Sequence, residues 1–187
     1  MGTLFILMSI FVTTEKPNYP WYQIGKMSNL EQGDLLPRCP VILPLNHKEI
    51  LTSLSQNTQV DAQMTGNFVD LVIMSQSCDL ENNKITQVLL CGHYSASKLS
   101  KNEYEEIRKE RRPSLHIIEK CNSDLLSFEK QVVDFRTIYT LPKDFVQIFT
   151  ESLEIRARLL SPYKEHLSQA FARYFMRVGL PRSLVDE

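Results

Sequence analysis

The stretch that most limits what this chain can become runs from residue 69 to 95, VDLVIMSQSCDLENNKITQVLLCGHYS. Val69, Leu71, Val72, Ile73 and Met74 form a short run rich in branched side chains, which reads as a strand buried on both faces or nearly so. It stops abruptly at Ser75, Gln76, Ser77, Cys78 and Asp79. Asn82-Asn83-Lys84 supplies a turn, and Val88, Leu89, Leu90 and Cys91 begin a second strand. Two such strands joined by a polar loop predict a hairpin with a cluster of small polar groups at its rim.

The chain of 187 residues is 43% hydrophobic, enough for one substantial core, and one domain is the economical reading. With 21 basic and 22 acidic residues the net charge is −1, so no global field draws in nucleic acid or an anionic membrane, and such binding would have to be local. Cys39, Cys78, Cys91 and Cys121 are widely spaced, which suits reduced thiols in a cytoplasm. Leu4 to Val12 is apolar but too short for a membrane span, so no membrane association is expected. Met27 is a candidate translation start, and residues 1–26 read as a peripheral segment, although Trp21 and Tyr22 are aromatics of the kind that pack.

Around the central hairpin the chain divides into short elements. Pro37, Pro40 and Pro44 allow 32–44 only an edge strand or a pair of short strands, and Gly33-Asp34 turns the chain into it. His47 to Ser55 predicts two helical turns, and 56–67 a loop ending in Thr65-Gly66-Asn67. Ser100 and Glu103 form a capping-box pattern for a helix that Pro113 ends. Leu115 to Ile118 and Gln131 to Tyr139 read as strands, with Asp134 and Arg136 neighbours on one face. Asp144 to Ser152 reads as a helix with Phe145, Ile148 and Phe149 inward. A final helix over 162–178, with Ser161 as its cap and Gly179-Leu180-Pro181 as its stop, carries a broad aromatic face including Tyr163, Phe171 and Tyr174.

The order GDLL, DLVIMS, NNK, VLLCGHYS and QVVDFRTIY before a helix resembles the PemK/MazF family of bacterial growth-inhibitor toxins across residues 32 to 178. SQSCDL is also similar to a stretch in a set of uncharacterised bacterial proteins. The toxin resemblance implies an α+β fold, an SH3-like small β-barrel with peripheral helices and a C-terminal amphipathic helix. It also implies metal-independent cleavage of RNA by an arginine entering the second central strand and a threonine or serine after the next. Ser95, or Tyr94, matches the second role. TGNFVD, which matches the first, contains no arginine or lysine, so Arg38, Arg112 or Arg136 would have to reach in, with His93 as the base.

Two further site chemistries are open in the sequence. Cys39, Cys78, Cys91 and His93 include a Cys-x-His spacing but no Cys-x-x-Cys pair, which makes them weak zinc candidates. Cys78 activated by His93 is a candidate nucleophile, but Asp79 beside it would raise the thiol pKa. Arg111 and Arg112, with Arg108 and Lys109, are a basic cluster that either complements a helix end or binds phosphate. No Gly-rich phosphate loop, HExxH or GxSxG is present, and no cofactor is expected.

The expectation is therefore a single barrel domain over 27–187. It would act as a non-catalytic interaction or regulatory subunit in a bacterial stress or phage-defence system, with Ser75, Gln76, Ser77, Cys78 and Asp79 as the recognition surface. Another protein is the expected partner, with RNA and a second copy of the chain as further possibilities. The alternative is a divergent endoribonuclease using His93, Ser95 and Arg136. A third reading gives the 75–79 serines and carboxylate only the task of satisfying exposed backbone groups.

Overall fold

The computed structural model describes residues 20–60 and 63–176, so the expectations placed on 1–19 and on 177–181 lie outside the described residues. In chain order the strands are β1 (Tyr22–Gly25), β2 (Leu35–Pro44), β3 (Met64–Ile73), β4 (Gln87–Ser95), β5 (Leu115–Ile118), β6 (Cys121–Asn122), β7 (Ser127–Phe128), β8 (Gln131–Pro142) and β9 (Arg156–Leu159). The helices are α1 (His47–Ser55), α2 (Ser77–Glu81), α3 (Lys101–Arg108), α4 (Lys143–Ser152) and α5 (Tyr163–Phe175). The fold is α+β, centred on a five-stranded antiparallel sheet in the order β2-β3-β4-β8-β5.

The predicted central hairpin is present. Leu71 pairs with Gly92 and Ile73 with Leu90, and alternation along β3 sends Leu71 and Ile73 to one core and Val72 and Met74 to another. The first core contains Leu36, Leu80, Leu90 and Val146 under α2 and α4; the second contains Cys91, Phe135, Leu159 and Leu167 under β9 and α5. Phe135 is fully buried and stacks edge-on to Phe171, a burial worth about 2–3 kcal/mol. The aromatic face of α5 thus closes the body from within the same chain, and Tyr163 stacks on Trp21 at 3.6 Å between ring centres.

Several expectations are corrected. The five-stranded sheet does not close into the barrel that the toxin resemblance implied. β2 and β5 are its unpaired edges, and the separate β1-β9 pair reaches it through a single bridge, Asp34 to Arg158, with Leu159 N–H donating to the Gly33 carbonyl. Residues 64–67 are not loop: they pair with Pro44 to Val41. β3 is ten residues long, yet only Leu71 to Ile73 reach β4, so its first half and β2 form a two-stranded arm beyond the sheet, with α1 at the tip. In α4 it is Val146 and Thr150 that are buried, while Ile148 faces solvent. Ser161 caps no backbone group of α5 and donates instead to Glu165 Oε1 at 2.7 Å.

Within 1–26, where Trp21 and Tyr22 were expected to pack, Tyr22 to Gly25 pair residue for residue with Leu159 to Arg156. Likewise, the capping box of Ser100 and Glu103 forms as the spacing predicts.

Two bulges shape the sheet. Between Leu36 and Cys39 the β2 register slips, with Arg38 at φ 50° and its N–H held by Asp70 Oδ1 at 2.8 Å. Between Cys91 and Gly92 the pairing jumps from Ile138 to Asp134, and the extra β8 residues fold over Gly92 so closely that a Cβ there would lie 2.8 Å from Thr137 Cγ2. Only glycine fits at that position.

Candidate functional site

The polar loop after β3 is built into the fold rather than presented by it. Ser75 Oγ accepts the Leu89 N–H at 2.8 Å, and Ser77 Oγ accepts the Gln32 N–H at 3.1 Å. Gln32 Nε2 in turn donates to the Met74 carbonyl at 2.8 Å and reaches Ser168 Oγ on α5 at 3.3 Å. Residues 77–81 form the single turn of α2, which a run of Ser, Cys and Asp did not announce because each alone is a poor helix former. Asp79 is half-buried and 4.0 Å from Lys84, leaving Gln76 and Cys78 as the exposed members of the group. Two of the five side chains therefore satisfy backbone groups.

The three candidate catalytic residues do not converge. His93 pairs with Val133 and Tyr94 with Val132, so alternation places the His93 side chain on the face opposite Tyr94 and Asp134. Arg136 clamps Asp134 in a bidentate pair, Nε to Oδ1 at 2.8 Å and Nη2 to Oδ2 at 2.7 Å, which holds its guanidinium beside that carboxylate. Ser95 caps the short turn Ala96–Lys98, accepting the Ser97 N–H. Arg111 is tied to Glu106 at 3.0 Å on the surface. Arg112 lines a groove of about 580 Å3 between α3, β5 and α5 with Arg108, Lys130 and Arg173, where Glu110 and Glu119 offset the charge.

The cysteines are also dispersed. Cys39 lies in one core and Cys91 in the other, while Cys78 is exposed, and no group of three or more potential ligands gathers among the described residues. Burial pushes the Cys39 thiol up to about 11 and the Cys91 thiol up to about 12, the latter with help from Asp134, so both are inert packing groups at neutral pH.

What sequence reading missed is a buried charge cluster at the junction of β2 and β9. Asp34 is wholly buried and takes Arg158 in a fork, Nε to Oδ1 at 2.5 Å and Nη2 to Oδ2 at 3.0 Å, with Arg156 Nη2 at 3.3 Å. Arg158 also reaches Glu31 at 2.6 Å and the Asn29 carbonyl, and Arg156 donates to the same carbonyl. The alternating Arg-Ala-Arg-Leu of 156–159 was the available signal, but alternation normally puts charge outward. Here both faces of β9 are covered, so the arginines are buried and must be paired.

Beside this cluster lies a cavity of about 280 Å3, walled by β2, β4 and β9 and by the β6-β7 hairpin. Apolar lining comes from Leu35, Pro37, Leu126, Phe128 and Ala157; polar lining comes from Asp70, His93, Gln131 and Arg156. His93 Nδ1 meets Gln131 Oε1 at 3.2 Å, and burial lowers the pKa of its ring. Among the described residues, the buried side-chain polar atoms without a partner are His93 Nε2 and Arg156 Nε. No helix of the described residues is long and apolar enough to cross a membrane. No protein-family model matches the chain, and no curated protein matches it.

Proposed function

We propose that the chain is a non-catalytic interaction or regulatory subunit that binds a partner protein through its β2-α1-β3 arm. Its sheet is of the SH3-like, PemK/MazF-related kind, opened along β2 and β5, and a bacterial stress or phage-defence setting suits that kinship. The observation that carries the reading is α1: no residue of it is buried, and Leu51 and Leu54 are 67% and 61% exposed. Three residues apart, they share one helix face.

Ile42, Leu43 and Leu45 along one strand of the arm and its continuation, and Met64 and Phe68 along the other strand, are likewise exposed, with Ile42, Met64 and Phe68 on one face. An apolar surface of this extent on a projecting element marks an interaction site, because solvating it has no return within the monomer. The expected occupant is a protein with a complementary apolar face. The anchored 75–79 loop contributes at most Gln76 and Cys78 to such a surface.

The competing reading, a metal-independent endoribonuclease, would need His93, Ser95 and Arg136 on one phosphate. His93 and Ser95 share one face of β4, but Arg136 is clamped to Asp134 on the opposite face, which weighs against it. The test has two arms. Capture of partners from the native source with wild-type chain should be lost with a Leu51→Glu/Leu54→Glu variant and kept with Gln76→Ala/Cys78→Ala; the reverse pattern overturns the assignment to the arm. Incubation with long single-stranded RNA in EDTA should leave the RNA intact, and cleavage abolished by His93→Ala would establish the enzyme instead.

A further inference from the structure

The two edges of the main sheet are unlike. β2 carries Pro37, Pro40 and Pro44, each without an N–H, so its edge is poor in donors for an added strand. β5 contains no proline. Its ladder with β8 fixes which backbone groups it leaves open. Phe135 N–H donates to the Ser114 carbonyl, so 114 and 135 are a hydrogen-bonded pair, and alternation makes His116 with Val133 and Ile118 with Gln131 the next two. The N–H and C=O of Ile117 and the Leu115 carbonyl therefore point away from β8, while the Leu115 N–H already meets the Arg112 carbonyl at 2.9 Å. The bond from Ala96 N–H to the Lys130 carbonyl gives the same alternation on the other side of β8.

The groove of about 580 Å3 runs along this edge. His116 shares a face with Val133, whose core includes Leu167 and Ala170 of α5. Ile117 lies on the other face with Val132 and Tyr94, and the Tyr94 hydroxyl is within electrostatic reach of Glu103 on α3. The open strand edge is thus the floor of the groove, with a helix on each side. Leu115, Ile117, Ala170 and Trp21 give it apolar surface.

Its charge is uneven. Arg108, Arg112, Lys130 and Arg173 line it against two acidic residues, Glu110 and Glu119. Lys130 is paired with Glu119 at 3.2 Å, whereas Arg173 meets Glu110 only at 3.8 Å, with both side chains exposed. Arg112 is exposed, and among the described residues its side chain forms no hydrogen bond or salt bridge. The surplus of positive charge sits at the Leu115 end.

We infer that this groove takes an extended, acidic segment of a partner protein as an added strand on β5, with the Ile117 N–H and C=O bonding its backbone and Arg112 and Arg173 meeting its carboxylates. The site lies at the edge opposite the arm and does not rest on it. A nucleic acid suits it less, because a strand edge matches a peptide backbone and Glu110 and Glu119 repel a chain of phosphates.

Full-length 15N-labelled chain is titrated with the acetylated, amidated peptide Asp-Glu-Val-Ile-Val-Asp-Glu, with its counterpart carrying lysine at each acidic position, and with an oligouridine. The acidic peptide should give a saturable shift of the Ile117 amide and slow its hydrogen exchange by about tenfold or more, leaving the already paired His116 and Ile118 amides unchanged. The lysine peptide should bind at least about tenfold more weakly. Arg112→Glu/Arg173→Glu, which alters two exposed side chains, should weaken the acidic peptide by a similar factor with an unchanged melting temperature. Two further peptides test the backbone contact without touching the protein. N-methylation of both valines, or of the isoleucine alone, blocks alternate edges of the added strand, so one version should bind and the other should not. The inference is overturned if Ile117 shows no saturable shift, or if its amide is already protected in the free chain, where the chain itself or a second copy would fill the groove. It is equally overturned if the lysine peptide or the oligouridine binds as well, if the double variant keeps its affinity, or if the two methylated peptides behave alike.

Discussion

The two ends of β2 meet opposite fates. At its start, Asp34 to Leu36 are buried, with Asp34 locked to two arginines from β9; at its far end, Ile42 to Leu45 run out onto an arm whose helix buries nothing. One end holds charge without water, and the other holds apolar side chains in water. Each is the costly choice for its residue type, which separates the part of the molecule that fixes the fold from the part free to serve something else.

The comparison breaks most readily at the buried end. Asp34→Ala leaves two guanidiniums facing each other without their shared carboxylate, and about 3–5 kcal/mol of stability should be lost, read as a drop in the urea midpoint. If the midpoint stays put, the cluster does not hold β9 to the sheet. Beside it, Gly33 has φ +87°, and a Cβ would lie 2.9 Å from Leu159 Cβ, so Gly33→Ala should cost about 1–3 kcal/mol by the same assay.

The first of these residues was visible in the sequence only as a turn, Gly33-Asp34. Pattern reading recovered the strands whose apolar runs are continuous, 69–74 and 88–91, and the start of the helix whose N-cap is local, read over 100–112 and formed over Lys101–Arg108, because each is decided by neighbours in sequence. It missed β1 and β9 because a four-residue strand bearing two arginines is stable only when a distant carboxylate neutralises it, and Asp34 is 124 residues from Arg158. The candidate site was hidden for the same reason. His93 stood out by its type, but its pairing with Gln131 and its nearness to Arg156 follow from the register of β4 on β8 and from where β9 docks.

A smaller effect comes from pH. Burial lowers the His116 pKa to about 4, with His166 adding to the shift and Glu110 opposing it, and burial likewise lowers that of His93, against the hydrogen bond to Gln131 and the charge of Asp70. Both rings are thus neutral in the fold at a pH where the unfolded chain binds protons, near 6.5 and below. Stability from this source is complete above that value and declines as pH falls toward the folded values. A loss of about 1–2 kcal/mol is expected between pH 7 and 5. His116→Gln should flatten part of that slope; a slope unchanged in the variant would mean that its ring is protonated as easily in the fold as outside it.

The smallest effect is expected at the arm. Leu51→Glu and Leu54→Glu exchange good helix formers for another good one, at positions already 67% and 61% exposed, so each should change stability by no more than about 0.5 kcal/mol. The carboxylates fall toward the C-terminal half of α1, where the dipole opposes them by a few tenths of a kcal/mol. A loss well beyond that, in the same urea assay that registers Asp34→Ala, would mean that the arm is braced against the body and that its leucines serve the fold. A near-zero change leaves those side chains without a structural use inside the chain, and what maintains them must then be sought in a partner.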